Sequence, residues 1–497
     1  MDATTGPEIL VLGDPRLRVH CDDVAQVDER DLEQLAAALA GAKSRLGFGR
    51  AIAAPQVGIA RRIIVVDLGA GPFAVINPEI TWKSDETFEL WDDCFSVPDR
   101  LVRVRRHRSI SLAFRDRGFR RREWPRLPIE LAELLQHEID HLDGVLMVDR
   151  AIGDDAMRPI ELRGELVSPL APPHRLSLPR IAEAARCIDP VFLGSPQFVC
   201  EPLAEAVGCR LTLKVETVNP IRSFKGRGAD FAIATLVARG ERPALVCASA
   251  GNFGQGVAYA ARKHGLPVTV FAAEGANPLK IARMRGLGAE VRIAGDDLEA
   301  AKQTARRWAA ETRARFLEDG FEPEISEGAG SIAVELLAHG DGFDAIVVPI
   351  GDGALINGIA RWVKAAAPAT RVIGVCSRGA PAMARAWRRG PGAKPEPAGA
   401  DTIADGIAVR QPIAASLDDM RRTVDDIVEI DDAALIDAMR LVHAHAGLVT
   451  EPAGVAGLAA VIAARAEFAG RDVATVICGG NTTAEQLAAF GIVPGPA

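Results

Sequence analysis

The pentapeptide His137-Glu138-Ile139-Asp140-His141 lies in a run whose apolar positions, Leu131, Leu134, Leu135, Ile139 and Leu142, recur at helical spacing. Histidines four residues apart on a helix share a face. Both can therefore ligate one metal ion, with Glu138 leaning over the same centre as a general base. Cys94, in Trp91-Asp92-Asp93-Cys94-Phe95-Ser96, is the natural third ligand, and a Cys/His/His set leaves one position open for a polarised water. The alternative is a surface helix with two solvated histidines and a buried cysteine elsewhere. A second constellation lies further along. Lys225 stands beside glycines at a helix start, where its amine can reach a carbonyl cofactor, lysine being the side chain that forms Schiff bases; a solvated lysine is the plainer reading. Ser249-Ala250-Gly251-Asn252 forms a tight turn after a strand, with amides suited to a substrate carboxylate and Asn252 available to a ring hydroxyl. Gly351-Asp352-Gly353-Ala354-Leu355 likewise joins a strand to a helix, presenting N–H groups and the positive end of a helix dipole to a phosphate.

These residues need elements to hold them. Residues 1–150 read as short β-type runs, such as 62–67 and 109–114, ending in an amphipathic helix over 131–142, an α+β pattern. The stretch 153–179 holds Pro159, Pro169, Pro172, Pro173 and Pro179 and so excludes a long helix or a central strand. It reads as a linker, giving a first domain at 1–155, a linker at 156–176 and a second region at 177–497. Beyond it, β-rich runs at 244–248, 268–272, 345–349, 371–376 and 474–478 alternate with Ala-rich helices. This alternation predicts a mostly parallel sheet covered by helices.

A chain of 497 residues suits two or three compact domains, and 48% hydrophobic with 25% charged residues is the composition of a folded protein. The formal net charge of -8 argues against a general polyanion binder, so nucleic acid is not an expected partner. No charged start leads into an apolar core, and no apolar run approaches the roughly 20 residues a membrane helix needs. Neither secretion nor a membrane partner is expected. The eight cysteines are scattered without close pairs, which suits a reducing, cytoplasmic compartment.

Residues 1–155 resemble peptide deformylases. Three motifs carry the resemblance in family order: Gly49-Arg50-Ala51-Ile52-Ala53-Ala54-Pro55-Gln56-Val57-Gly58, the segment around Cys94, and His137-Glu138-Ile139-Asp140-His141-Leu142-Asp143-Gly144. The resemblance implies ferrous iron or zinc on Cys94, His137 and His141. It further implies that Glu138 shuttles the proton, that Gln56 and the Phe95 amide hold the carbonyl oxygen, and that an N-formyl amide is hydrolysed to formate and an amine. Two departures, Asp92-Asp93 for Glu-Gly and Ala51-Ile52 for Gly-Leu, are read as lining the place of a formyl-methionyl chain, so the substrate is expected to differ from the ordinary one.

Residues 177–497 resemble the fold-type-II pyridoxal-phosphate (PLP) enzymes, whose architecture is that of the tryptophan synthase β-subunit, specifically their threonine/serine dehydratase branch. The motifs are Ser223-Phe224-Lys225-Gly226-Arg227-Gly228-Ala229, Ser249-Ala250-Gly251-Asn252, the glycine loop at 351–355, Thr402-Ile403-Ala404-Asp405-Gly406, Glu451-Pro452-Ala453-Gly454 and Cys478-Gly479-Gly480-Asn481. The resemblance implies an α/β region of two subdomains in which Lys225 carries the cofactor and moves protons. Gly351, Asp352, Gly353, Ala354 and Leu355 would hold its phosphate, Asn252 would meet its 3'-hydroxyl, and Cys478 would stand at the pyridine nitrogen where serine is more usual. Asp352 departs from an all-glycine loop, and its carboxylate is unwelcome beside a phosphate unless turned away. Family racemases carry a serine where this chain has Ala250, so elimination is favoured over racemisation.

A formylated nitrogen cannot react with a lysine-bound carbonyl cofactor, whereas the amine released by deformylation can. The expected function is thus bifunctional, with the first domain unmasking an N-formyl amino acid or similar amide and the second eliminating a β-group to give a 2-oxo acid and ammonia. The alternatives are a PLP lyase or β-replacement enzyme with a non-catalytic docking domain, and a housekeeping deformylase with a passenger. A small amino-acid substrate is the expected partner, and a homodimer is what the second resemblance implies.

Overall fold

The computed structural model describes residues 7–338, 342–392 and 394–493. The chain divides into two compact units, Met1–Pro173 with Ala365–Ala369, and His174–Lys364 with Thr370–Ala497.

In the first unit, strands β1 (Ala51–Ala53), β2 (Ile63–Asp67), β3 (Pro72–Lys83), β6 (Ile110–Arg115) and β7 (Arg121–Trp124) form an antiparallel sheet in that order. Strands β4 (Thr87–Cys94), β5 (Val97–His107) and β8 (Met157–Pro159) form a smaller one. Residues Ile63 to Val66 of β2 are all buried, and the period-2 rule explains why an unbroken apolar run is needed there. Ile63 and Val65 pack with Leu32, Leu35 and Leu39 of the helix Glu29–Leu46. On the other side Ile64 and Val66 pack with Ala132, Leu135 and Ile139 of the helix Ile129–Leu142. The sheet thus has a helix on each face. The first of these helices is closed at both ends, by the Asp28 side chain accepting from Arg30 N and by left-handed Gly47 donating to Lys43 O.

The proline-bearing stretch is not a bare linker. Its residues 157–159 pair with Arg100, Leu101 and Val102 of β5. Arg163 then bonds Asp93 at 2.7 Å, and the first unit continues to Pro173. Proline is tolerated here because β8 is an edge strand and need not donate on its outer side.

The second unit has two sheets where the sequence pattern suggested one. The larger has the order β17 (Asp426–Ile430), β16 (Arg371–Ser377), β15 (Ala345–Pro349), β18 (Asp472–Ile477), β10 (Arg210–Val215) and β9 (Gln197–Val199), parallel except for β9. The smaller, β13 (Glu290–Ile293), β12 (Val268–Ala272), β11 (Leu245–Ala248) and β14 (Arg315–Phe316), is wholly parallel and lies between β10 and β15 in the sequence. Two subdomains result. Helices cover both faces of the small sheet: Leu245, Cys247 and Val270 meet the helices Lys225–Ala238 and Asn252–Lys263, while Val246 and Phe271 meet Leu298–Thr312. Such coverage is what makes parallel strands read as continuous apolar runs.

Candidate active sites

In the first unit, the face of the helix Ile129–Leu142 opposite its sheet carries His137, Glu138 and His141, all buried. Cys94 reaches them from the end of β4, where a register shift between Asp92 and Cys94 interrupts the pairing with β5; bulges of this kind re-aim side chains. One ligand atom each from Cys94, His137 and His141 lies within 4.8 Å of the others, and Cys94 Sγ is 3.2 Å from His141 Nε2. Gln56 sits beside them, its Nε2 donating to Ser96 Oγ at 3.2 Å and lying 3.8 Å from Cys94 Sγ. Phe95 follows the cysteine in the β4–β5 turn, its ring pressed so closely on Gly49 that a Cβ there would lie 2.0 Å from it. The third motif closes on Gly144, with φ +72 and a would-be Cβ 2.6 Å from Arg18 O, a place only glycine fits.

The residues fit a metal ion. Among the described residues, the Nδ1 of His141 and Oε2 of Glu138 are buried without hydrogen-bond partners. His137 Nδ1 is held at 2.9 Å by Asp92, which leaves Nε2 to face the centre. Burial opposes charge on His137, but Asp92 and Cys94 raise its pKa well above the ordinary value; burial and His137 depress that of His141. Burial pushes the Glu138 carboxyl up to about 7, against the pull of His137, which suits a group that must both take and return a proton. Asp92 was expected beside the substrate. It stands instead behind His137, also bonded to Arg106 at 3.2 Å, and these cations outweigh burial to hold its pKa at about 2.

In the second unit a cavity partly open to solvent brings together Lys225, the turn Ser249-Ala250-Gly251-Asn252, the loop Gly351-Asp352-Gly353-Ala354-Leu355 and Cys478. Each comes from a different element. Lys225 opens the helix Lys225–Ala238, Asn252 opens Asn252–Lys263, the 351–355 loop leads from β15 into the helix Ala354–Ala366, and Cys478 follows β18. Ser249 Oγ accepts from Gly251 N at 3.0 Å and Gly254 N at 2.9 Å, which shapes the turn. A Cβ on Gly351 would lie 2.8 Å from Gly406 O, and one on Gly353, with φ +98, 1.9 Å from Ser416 Oγ. The loop is therefore a cradle of bare backbone at a helix N-terminus, which fits a phosphate. Asp352 is turned to Lys302, 3.5 Å away. Burial pushes the Cys478 thiol up to about 12, so it stays neutral, and its Sγ lies 3.6 Å from Ala453 O.

Three features of this cavity escaped sequence reasoning. Lys225 Nζ donates to Asp319, a residue of the loop after β14. Lys302 faces Asp352 and Glu318. Lys280 binds Asp405 and Glu451 at 2.8 and 2.9 Å, and Glu451 in turn accepts from Asn252 Nδ2, whose Oδ1 accepts from Asn481 at 2.7 Å. Asp405, Glu451 and Asn481 were visible inside motifs, but nothing around Lys280, Lys302 or Asp319 distinguishes them from solvated charges.

Residues 188–479 match the model of the family described as pyridoxal-phosphate dependent enzyme, more than half of the chain. The chain belongs to that family. Residues 7–156 match the model described as polypeptide deformylase. An L-threonine ammonia-lyase of Thermotoga maritima is 35% identical over 312 residues, 63% of this chain and 77% of that protein. A phenylserine dehydratase of Ralstonia pickettii is 34% identical over 284 residues, 56% of this chain and 86% of that protein. Among solved structures, a pyridoxal 5'-phosphate-dependent aspartate racemase superposes with a TM-score of 0.60 at 27% identity, covering 64% of this chain and 99% of its own. In this pyridoxal-phosphate dependent enzyme Lys225, the first residue of its helix, lines the same cavity as the phosphate cradle, and Ala250 leaves the 249–252 turn without a second hydroxyl.

Proposed function

We propose that the chain carries two activities, hydrolysis of an N-formyl amine by the first unit and β-elimination from a hydroxy amino acid by the second. The lyase reading is carried by one observation: Lys225 and a backbone phosphate cradle meet in one cavity. Bound PLP would supply an electron sink for the pair released at Cα. Lys225 would bind it and move the α-proton, the 351–355 amides would hold its phosphate, and Asn252, fixed between Glu451 and Asn481, would orient its ring through the 3'-hydroxyl. Cys478, a neutral thiol at the pyridine nitrogen, would leave that sink modest, sufficient for losing a β-group. Ser249, Ala250 and Gly251 would receive the substrate carboxylate. Threonine and phenylserine are the substrates supported by the names of the relatives, and serine is the smallest hydroxy amino acid of that class.

The hydrolase reading is supported by the Cys94, His137 and His141 set with Glu138 beside it. An iron(II) or zinc ion held there would supply Lewis acidity. Glu138 takes a proton from water and returns it to the departing amine, while Gln56 and the Phe95 amide hold the carbonyl oxygen. Glu133, one turn before His137, forms an ion pair with Arg50 and is 6% exposed as a residue. A charged pair on this face favours a small polar amide over a formyl-methionyl chain. The two reactions run in order, since the first product is the primary amine that the second unit needs.

Formate, ammonia and 2-oxo acid should be followed from serine, threonine and their N-formyl derivatives, with PLP and iron or zinc restored. The expected result is that formylated substrate yields all three products, that Glu138→Ala stops all three, and that Lys225→Ala stops only the last two. Reaction of the free amino acids alone would remove the first unit from the sequence.

A further inference from the structure

Asp319 belongs to the loop between β14 and the helix Pro323–Leu337. It is 7% exposed; one oxygen accepts from Lys225 Nζ, and the other, Oδ1, is buried with no hydrogen-bond partner among the described residues. Leaving such an acceptor unmet opposes burial, and a bound group that donates to it can return that cost. Both residues line the cavity. The loop is pinned, because a Cβ on Gly320 would lie 2.2 Å from Asp352 O, so residues 319–320 press on the phosphate cradle. Asp319 thus ties the lysine to a loop that presses on the cradle. Neighbouring acids have other cations: Asp352 and Glu318 face Lys302 at 3.5 and 3.8 Å, and Glu451 faces Lys280 at 2.9 Å.

We propose that Asp319 is a further catalytic residue, the acid that gives a proton to the β-leaving oxygen in relay with Lys225. This inference rests on the lyase reading. Lys225 Nζ takes the α-proton, and the Cα–H electron pair becomes the second bond between Cα and Cβ. Lys225 passes that proton along their hydrogen bond to the Asp319 carboxylate. The Cβ–O bond breaks with its pair on oxygen, which receives the proton from Asp319 and departs as water, so the α-hydrogen leaves in that water and both side chains return to their starting states. The enamine left behind takes up one water to give the 2-oxo acid and ammonia.

The test compares leaving groups in the full PLP-loaded chain. Chloride departs without a proton, whereas hydroxide does not. Asp319→Asn should lower kcat on serine at least 100-fold while keeping elimination from β-chloroalanine within tenfold. Asp319→Glu should recover at least tenfold on serine over Asp319→Asn. Independently of turnover, the pH midpoint of the absorption of the lysine-bound cofactor should fall by about one unit in Asp319→Asn, because a carboxylate beside the nitrogen favours its protonated form. Equal losses on both substrates, unchanged serine turnover or an unchanged midpoint would each overturn the proposal. A wild-type chain that binds PLP and eliminates from neither substrate overturns the lyase reading itself, and the relay with it.

Discussion

At the scale of single residues, Asp92 shows how a proposed ligand set depends on a side chain outside it. Its carboxylate fixes the ring of His137 at 2.9 Å and is itself fixed by Arg106. Removing such an outer partner typically costs 10–100-fold in metal affinity. Asp92→Ala should therefore weaken zinc binding by that factor in competition with a chromophoric chelator, and unchanged affinity would reduce Asp92 to a packing role. The grouping of His137 with His141 was legible because a helix places residues four apart on one face. Asp92 was not, since it meets His137 across 45 residues of sequence, and only the fold brings them together. The same holds for Asp319 and Lys225, 94 residues apart.

At the scale of elements, a turn can matter more than the side chains it carries. Gly353 has φ +98, and its missing Cβ leaves room for Ser416 Oγ, which binds Asn357 Nδ2 at 2.8 Å. Gly353→Ala would combine a left-handed conformation costing about 1–2 kcal/mol with a direct clash. PLP affinity should fall at least tenfold by absorbance titration, with the secondary structure unchanged by circular dichroism. Strands β11, β12, β15, β16 and β18 were each legible to within a residue or two, because strands covered on both faces are apolar throughout. Their division into two sheets was not. Which strands pair is settled by crossovers and helix packing, and the short charged β13 and two-residue β14 carry no apolar run of their own.

At the scale of the whole molecule, each unit has its own core and its own candidate site. Chelation of metal from the full chain should abolish formate release while leaving ammonia release from free serine within twofold, and it should lower only one of two unfolding transitions in calorimetry. Loss of both activities would show that the second unit requires the metal. Relatives of the second unit cover about 63% of the chain, and the deformylase model covers residues 7–156 of the remainder. Between the two matches lies β8, paired along β5 and followed by Arg163 on Asp93. That strand guards a seam. Severing the chain before Met157 would strip β5 of its partner on that side and leave a row of open amides and carbonyls, a template on which copies could stack edge to edge. Pro159, one of the prolines that mark this stretch as a linker to the eye, sits in a selvedge, the finished border that keeps the first unit's fabric from unravelling into aggregates.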